Sequence, residues 1–155
     1  QIVTASKDGT IIVWDVELGI VQQQWFAHQG HVLFDVRFSP DGRFLLSVSR
    51  DGSVKIWDMD DWHETASFKI DGREITRACV SPSGEYVATI CNVDGTMTST
   101  LQLWRLGEAS QCVAAFTEHK VYVDHLEFTP DGRFLASGDY SGIIYIHRLS
   151  SFIGH

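Results

Sequence analysis

The stretch TASKDGTIIVWD, Thr4 to Asp15, is written again 43 residues further on as SVSRDGSVKIWD, Ser47 to Asp58. A second phrase recurs three times: VRFSPDGRFLLS from Val36, ACVSPSGEYVAT from Ala78 and LEFTPDGRFLAS from Leu126. Its Ser/Thr-Pro-x-Gly cores begin at Ser39, Ser81 and Thr129, 42 and 48 residues apart. A period of this size is that of a small supersecondary unit that cannot bury its own apolar faces and must stack on its neighbours.

Each unit is predicted to be three or four short antiparallel strands. Pro presets the backbone angle of the Ser/Thr-Pro-x-Gly turn and Gly supplies its positive φ. The Asp8-Gly9 and Asp51-Gly52 pairs are hairpin signals. SVKIWD alternates polar with apolar residues, the two-residue period of a strand with unlike faces. No window carries a sustained helical period. Sheets of this kind, stacked face to face and closed into a ring, leave no exposed ends. The fold class expected is all-β.

Composition narrows the function. The chain has 155 residues, 44% hydrophobic, enough for a packed core. Its net charge of −8 repels phosphate, which disfavours direct contact with nucleic acid and docking on anionic membranes. No apolar run approaches the ~18 residues of a membrane span. The three cysteines, Cys79, Cys91 and Cys112, are odd in number and form no Cys-x-x-Cys, so small buried thiols in a reducing, intracellular compartment are expected. The chain opens with Gln inside a strand-like stretch, so it is expected to be part of a longer polypeptide.

The stretch HVLFDVRFSPDGRFLLSVSRDGSVKIWD, His31 to Asp58, closely resembles the WD-repeat (WD40) β-propeller family, and the resemblance spans nearly the whole chain. It implies four-stranded blades, strands a to d with a innermost. It also implies a buried network joining a His of the d–a loop, a Ser or Thr of strand b, an Asp of the b–c turn and the Trp of strand c. Carried onto this sequence, the network comprises His28, Ser49, Asp51 and Trp57 in one blade, and Ser6, Asp8 and Trp14 in the blade before it. The later units depart from the pattern. One keeps Trp104, but has Asp71-Gly72 where Gly-His would stand and four extra residues before the Trp. The last keeps His119, with Ser141 in the place of the Asp and His147 in the place of the Trp. These two blades are expected to be looser or differently held. Residues 2–26 are expected to supply strands b, c and d, 32–69 a full blade, 75–117 a degenerate full blade and 123–148 strands a, b and c. That makes a partial ring of about three and a half blades, roughly half of a seven-bladed propeller.

The recurring Ser, His and Asp invite comparison with a hydrolytic triad. A set repeated once per unit and ending on a Trp is structural, because buried polar groups bonded to one another hold strands in register. His28 and His31 have a metal-like spacing but no third ligand nearby, and the group His119, Asp124 and His125 is weighed in the same way. Asp58 to Glu64, acidic but lacking the Gly and final Glu of a calcium loop, is a solvated turn. Its Trp62, equivalent to Gly19, is either a contact aromatic on the bottom rim or folds back on the blade. No phosphate-binding glycine loop occurs, and neither cofactor nor metal is expected.

What the resemblance implies about function is a non-enzymatic scaffold that binds protein or peptide partners on its top face. The positions that flank the first apolar residue of strand a are Val32 and Phe34, Glu74 and Thr76, and Tyr122 and Asp124. Those that precede the b–c turn acid are Lys7, Arg50 and Tyr140. The loop from His28 to Val36 carries one more residue than that from His119 to Leu126. The alternatives are a sensor or regulatory propeller of a multidomain signalling protein, and a ligand-binding or enzymatic propeller, which would need non-repeat ionisable groups gathered in a pocket.

Overall fold

The computed structural model describes residues 1–70, 73–93, 96–107 and 109–152. These form fourteen strands and no helix, in four antiparallel sheets. The first sheet is β1 (Ile2–Ala5), β2 (Thr10–Asp15) and β3 (Ile20–Phe26). The second is β4 (Leu33–Phe38), β5 (Phe44–Ser49), β6 (Ser53–Asp58) and β7 (Glu64–Lys69). The third is β8 (Arg73–Val80), β9 (Tyr86–Val93), β10 (Ser99–Arg105) and β11 (Gln111–Phe116). The fourth is β12 (Val123–Phe128), β13 (Phe134–Asp139) and β14 (Ile144–Arg148). Strands pair in simple meander order. They are blades 1 to 4 of an open propeller arc: β1 packs on β4, β4 and β5 on β8, and β8 and β9 on β12.

Three apolar seams hold the arc together. Ile11, Ala27, Leu33, Leu45 and Trp57 fill the seam between blades 1 and 2. Val48, Val54, Ile75, Val87 and Cys91 fill the next, and Ile90, Leu101, Leu126, Leu135 and Leu149 the third. Burying one such side chain is worth about 1.5–3 kcal/mol. At every seam the strand-c ring of one blade meets the strand-d ring of the blade before: Trp57 on Trp25 at 5.4 Å, Trp104 on Phe68 at 4.6 Å, His147 on Phe116 at 4.1 Å.

The alternation expected of SVKIWD is not expressed as burial. Five of the six strand residues from β5 and four from β6 are buried, because a middle blade is covered on both faces. The two-residue period survives on the outer strands β3 and β7, where one face meets solvent. Cys79 and Cys91 are buried free thiols, whereas Cys112 is exposed.

Two further details shape the blades. In every a–b pair of blades 2 to 4, one residue of the inner strand is left out of the ladder: Phe34, Thr76 and Asp124. Such a bulge increases local twist and re-aims a side chain. Trp62 adopts φ 63°, matching φ 66° at Gly19, a conformation that costs a non-glycine residue about 1–2 kcal/mol. Its ring lies 6.0 Å from that of Trp25, so it folds back against blade 1 and extends the Trp57–Trp25 stack.

Candidate interaction face

The buried network is built differently from expectation. In blade 2, Trp57 Nε1 donates to Ser47 Oγ at 2.9 Å, and Ser47 Oγ lies 2.8 Å from His28 Nε2. On its other side His28 Nδ1 lies 2.9 Å from Ser53 Oγ, which donates to Asp51 Oδ1 at 2.6 Å. Each group donates once if His28 carries its proton on Nδ1: indole to Ser47, Ser47 to His28, His28 to Ser53, Ser53 to the carboxylate. The strand-b hydroxyl is therefore Ser47 and not Ser49, whose Oγ accepts from the backbone N of Asp51 at 3.3 Å and makes a minor contact with the Asp51 carboxyl. The reason is register. Leu45 pairs with Trp57, so Ser47 is the next residue on the same face, and Ser49 lies two residues further on, at the end of the strand.

The same two-residue correction applies elsewhere. Trp14 donates to Thr4 at 3.0 Å, not to Ser6, whose Oγ accepts from Asp8 N. Asp8 in turn accepts from the backbone N of Thr10 at 2.9 Å. Trp104 donates to Thr89 at 3.2 Å. Asp71 and Gly72 lie outside the described residues. In blade 4 the acid has moved: His119 Nδ1 donates to Asp139 Oδ2 at 2.7 Å, Ser137 Oγ lies 2.8 Å from Nε2, and Ser141 donates to Asp139 at 2.6 Å. Ser141, in the turn, thus does not take the place of the acid; Asp139 does, from the end of β13 on the face that carries Ser137. His147 does take the place of the Trp in packing but not in bonding, for its Nε2 is buried without a hydrogen-bond partner. A period-two scan for carboxylates and hydroxyls, in place of alignment on the Asp-Gly turn alone, would have found Ser47, Thr4 and Asp139.

Ser137, His119 and Asp139 have the connectivity of a hydrolytic triad. The two side chains that would meet a substrate are sealed, with Ser137 2% and His119 3% exposed, and Ser47 in blade 2 is 0% exposed. A nucleophile must be reachable. Burial pulls the His28 pKa down to about 4, so this imidazole is neutral near pH 7. Burial pushes the Asp51 pKa up, but hydrogen bonds from the Ser53 hydroxyl and backbone N more than offset this, leaving its pKa lowered. Hydrogen bonds from Ser141 and His119 hold Asp139 at about 2. Among the described residues no three His, Cys, Asp or Glu side chains are grouped to hold a metal.

The b–c turns and d–a loops share one rim, the top face. In blades 2 and 4 the turn is laced to the residue just before strand a: Arg50 N bonds Val32 O at 2.9 Å and Tyr140 N bonds Tyr122 O at 3.1 Å. Several of the nine candidate positions tie blade to blade. Arg50 Nε bonds Glu74 at 2.5 Å from blade 2 to blade 3, and Asp124 accepts from Arg77 at 3.2 Å from blade 3 to blade 4. Tyr122 Oη donates to Thr96 O at 2.9 Å. Phe34, Thr76 and Asp124 are the three bulged residues, each half-buried, and the Thr76 hydroxyl is buried without a partner. Val32 is half-buried beside Leu33. Leu33, Ile75 and Val123 hold the same register against β5, β9 and β13, so the longer loop before β4 does not displace Val32 and Phe34. Lys7, Arg50 and Tyr140 are exposed, Tyr140 at 72%.

The chain is 28% identical to the nuclear distribution protein PAC1-2 of Uncinocarpus reesii over 88% of its own length and 33% of that protein's. It is 26% identical to mouse Jouberin over 92% of its length and 14% of that protein's. It is also 26% identical to the eukaryotic translation initiation factor 3 subunit I of Anopheles gambiae, over 97% of its length and 48% of that protein's. The chain thus spans less than half of each of these relatives. No helix among the described residues is long and apolar enough to cross a membrane. The family model described as "WD domain, G-beta repeat" matches residues 1–15, 19–58 and 110–148, passing over the blade whose turn and strand-c spacing depart furthest. With that match over more than half its length, set on Trp-anchored blades, the chain belongs to the WD40 repeat family.

Proposed function

We propose that the chain is part of a non-enzymatic WD40 scaffold that presents its top face to a protein or peptide partner within a larger assembly. The observation that carries this reading is the row of bulged inner-strand residues, Phe34, Thr76 and Asp124, repeated at one height in three consecutive blades beside exposed Lys7, Arg50 and Tyr140. Polar, charged and aromatic groups on a frame already held by inter-blade bonds lose little entropy on binding. Glu74, Val32 and Tyr122 are assigned to the same face, partly as braces for it. The reading draws support from the relative named as a subunit of an initiation factor. It calls for no cofactor or metal, and it places the protein inside the cell. The remaining blades are assigned to the rest of a longer polypeptide.

The test is affinity capture with the full-length protein carrying Lys7→Glu and Tyr140→Ala, two exposed positions with no inter-blade bond among the described residues. Loss of specific partners with an unchanged melting curve is expected. Full recovery of every partner by a folded variant rules out the top face.

A further inference from the structure

The a–b turns lie on the opposite, bottom rim. They read Ser39-Pro40-Asp41-Gly42-Arg43 in blade 2, Ser81-Pro82-Ser83-Gly84-Glu85 in blade 3 and Thr129-Pro130-Asp131-Gly132-Arg133 in blade 4. In blades 2 and 4 the central carboxylate organises the turn. Asp41 accepts from Ser39 Oγ at 2.6 Å and from Arg43 N at 3.1 Å; Asp131 accepts from Thr129 Oγ1 at 2.5 Å and from Arg133 N at 3.0 Å. Blade 3 keeps the frame, with Gly84 N bonding Ser81 O at 2.9 Å and Gly84 at φ 75°. Where the carboxylate belongs it has only a hydroxyl. Ser83 Oγ lies 3.0 Å from Ser81 Oγ and accepts weakly from Glu85 N at 3.3 Å.

Ser83 is exposed and borders a cavity of about 480 Å³ between blades 3 and 4, whose walls include Glu85, Asp131, Arg133 and Arg148. Arg133 is shared with Asp131, Nε to Oδ2 at 3.0 Å. Arg148 forms no ion pair among the described residues. The site therefore combines a turn built for an anion, a hydroxyl in the anion's place, space beside it and an unpaired guanidinium in the same wall.

We propose that Ser83 is a phosphorylation site and that Arg148, with Arg133, receives its phosphate across the seam between blades 3 and 4. A protein kinase transfers the γ-phosphoryl group of a nucleoside triphosphate. The bond from Ser83 Oγ to phosphorus forms, the bond from phosphorus to the β,γ-bridging oxygen breaks, the nucleoside diphosphate leaves, and the hydroxyl proton passes to the kinase's base. The product carries close to two negative charges and three acceptor oxygens. One oxygen takes up Glu85 N and Ser81 Oγ, as the carboxylates do in the sibling turns, and the others face the guanidiniums. Glu85 and Asp131 oppose the phosphate, so the gain depends on Arg148. Ser81, at 3% exposed, is out of a kinase's reach.

Two measurements on the full-length protein test this. Phosphopeptide mapping of protein taken from its own cells with phosphatases inhibited is expected to place a phosphate on Ser83; its absence there overturns the assignment. Phosphoserine installed at position 83 by codon suppression is expected to raise the melting temperature by about 2–4 °C. The rise is expected to vanish with Arg148→Gln, measured against the unphosphorylated Arg148→Gln protein, and to grow with Glu85→Gln. No rise, or an equal rise with and without Arg148, refutes the bridge between blades.

Discussion

At the residue scale, the network of blade 2 is a one-way chain of donors, and its members are therefore unequal. Removing Ser47 Oγ strands both Trp57 Nε1 and His28 Nε2 in a buried site, whereas removing Ser49 Oγ costs a long bond from Asp51 N and a minor contact with the Asp51 carboxyl. Ser47→Ala is expected to destabilise the protein by about 1–3 kcal/mol and Ser49→Ala by less than about 1 kcal/mol, measured by urea unfolding. Equal costs refute the assignment. The same chain makes stability depend on pH. A histidine whose folded pKa is depressed contributes stability that is complete above its unfolded pKa of about 6.5. That stability is lost as the pH falls toward the folded value of about 4. Unfolding free energy is expected to drop by about 1–2 kcal/mol between pH 7 and pH 5, with a shallower slope in His28→Gln. A slope unchanged by that substitution locates the pH dependence elsewhere.

At the element scale, the turns carry most of the fold's specification, and two glycines show how differently they do so. Gly52 has φ 80°, and a Cβ there would lie 2.5 Å from Ile70 O and 2.7 Å from Arg73 O, because these two backbone carbonyls approach it directly. Gly42 has φ 72° but meets nothing within 4 Å. Gly42→Ala is expected to cost about 1 kcal/mol, the backbone penalty alone, and Gly52→Ala at least about 2 kcal/mol, since backbone must move as well. Thermal melts of the two variants decide this, and similar losses refute that close approach. The turns are also where the sequence was easiest to read: Asp-Gly and Ser-Pro-x-Gly pin chain reversals through φ alone, without knowledge of neighbours. Pairing is another matter. Whether Ser47 or Ser49 faces the indole depends on the b–c register, and in blades 2 to 4 the a–b ladders are shifted besides, by the bulges at Phe34, Thr76 and Asp124. For Trp62 the sequence left two alternatives open, a contact aromatic or a ring folded back, because the Trp25 ring it lies against belongs to another blade. Of the candidate face, the positions were legible from the repeat. The bonds of Arg50 to Glu74 and Asp124 to Arg77 were not, since they cross between blades.

At the scale of the whole molecule, the seams define two complementary faces, and the arc leaves one of each open. Within the arc, the strand-c ring of one blade inserts against the previous blade's outer face, as Trp57 does on Trp25. Trp14 occupies the same place in blade 1 with no blade before it among the described residues, and its cross-strand partners Ile2 and Val21 are 52% and 45% exposed. At the far end, Ile144 and Ile146 stand where Val54 and Ile56 stand in blade 2. Those are 0% and 6% exposed at their seam; Ile144 and Ile146 are 70% and 68% exposed. The two open faces are of the two kinds that meet at each internal seam, so contact between copies is expected head to tail, a geometry that does not limit itself to pairs. Prepared as these 155 residues alone, the chain is expected to self-associate with rising concentration in sedimentation velocity. Ile144→Lys with Ile146→Lys is expected to return it toward monomer at an unchanged melting temperature, since neither side chain is buried. A monomer at every concentration, or association indifferent to both substitutions, means the open faces do not recognise each other and that closure of the ring rests on something other than seam complementarity.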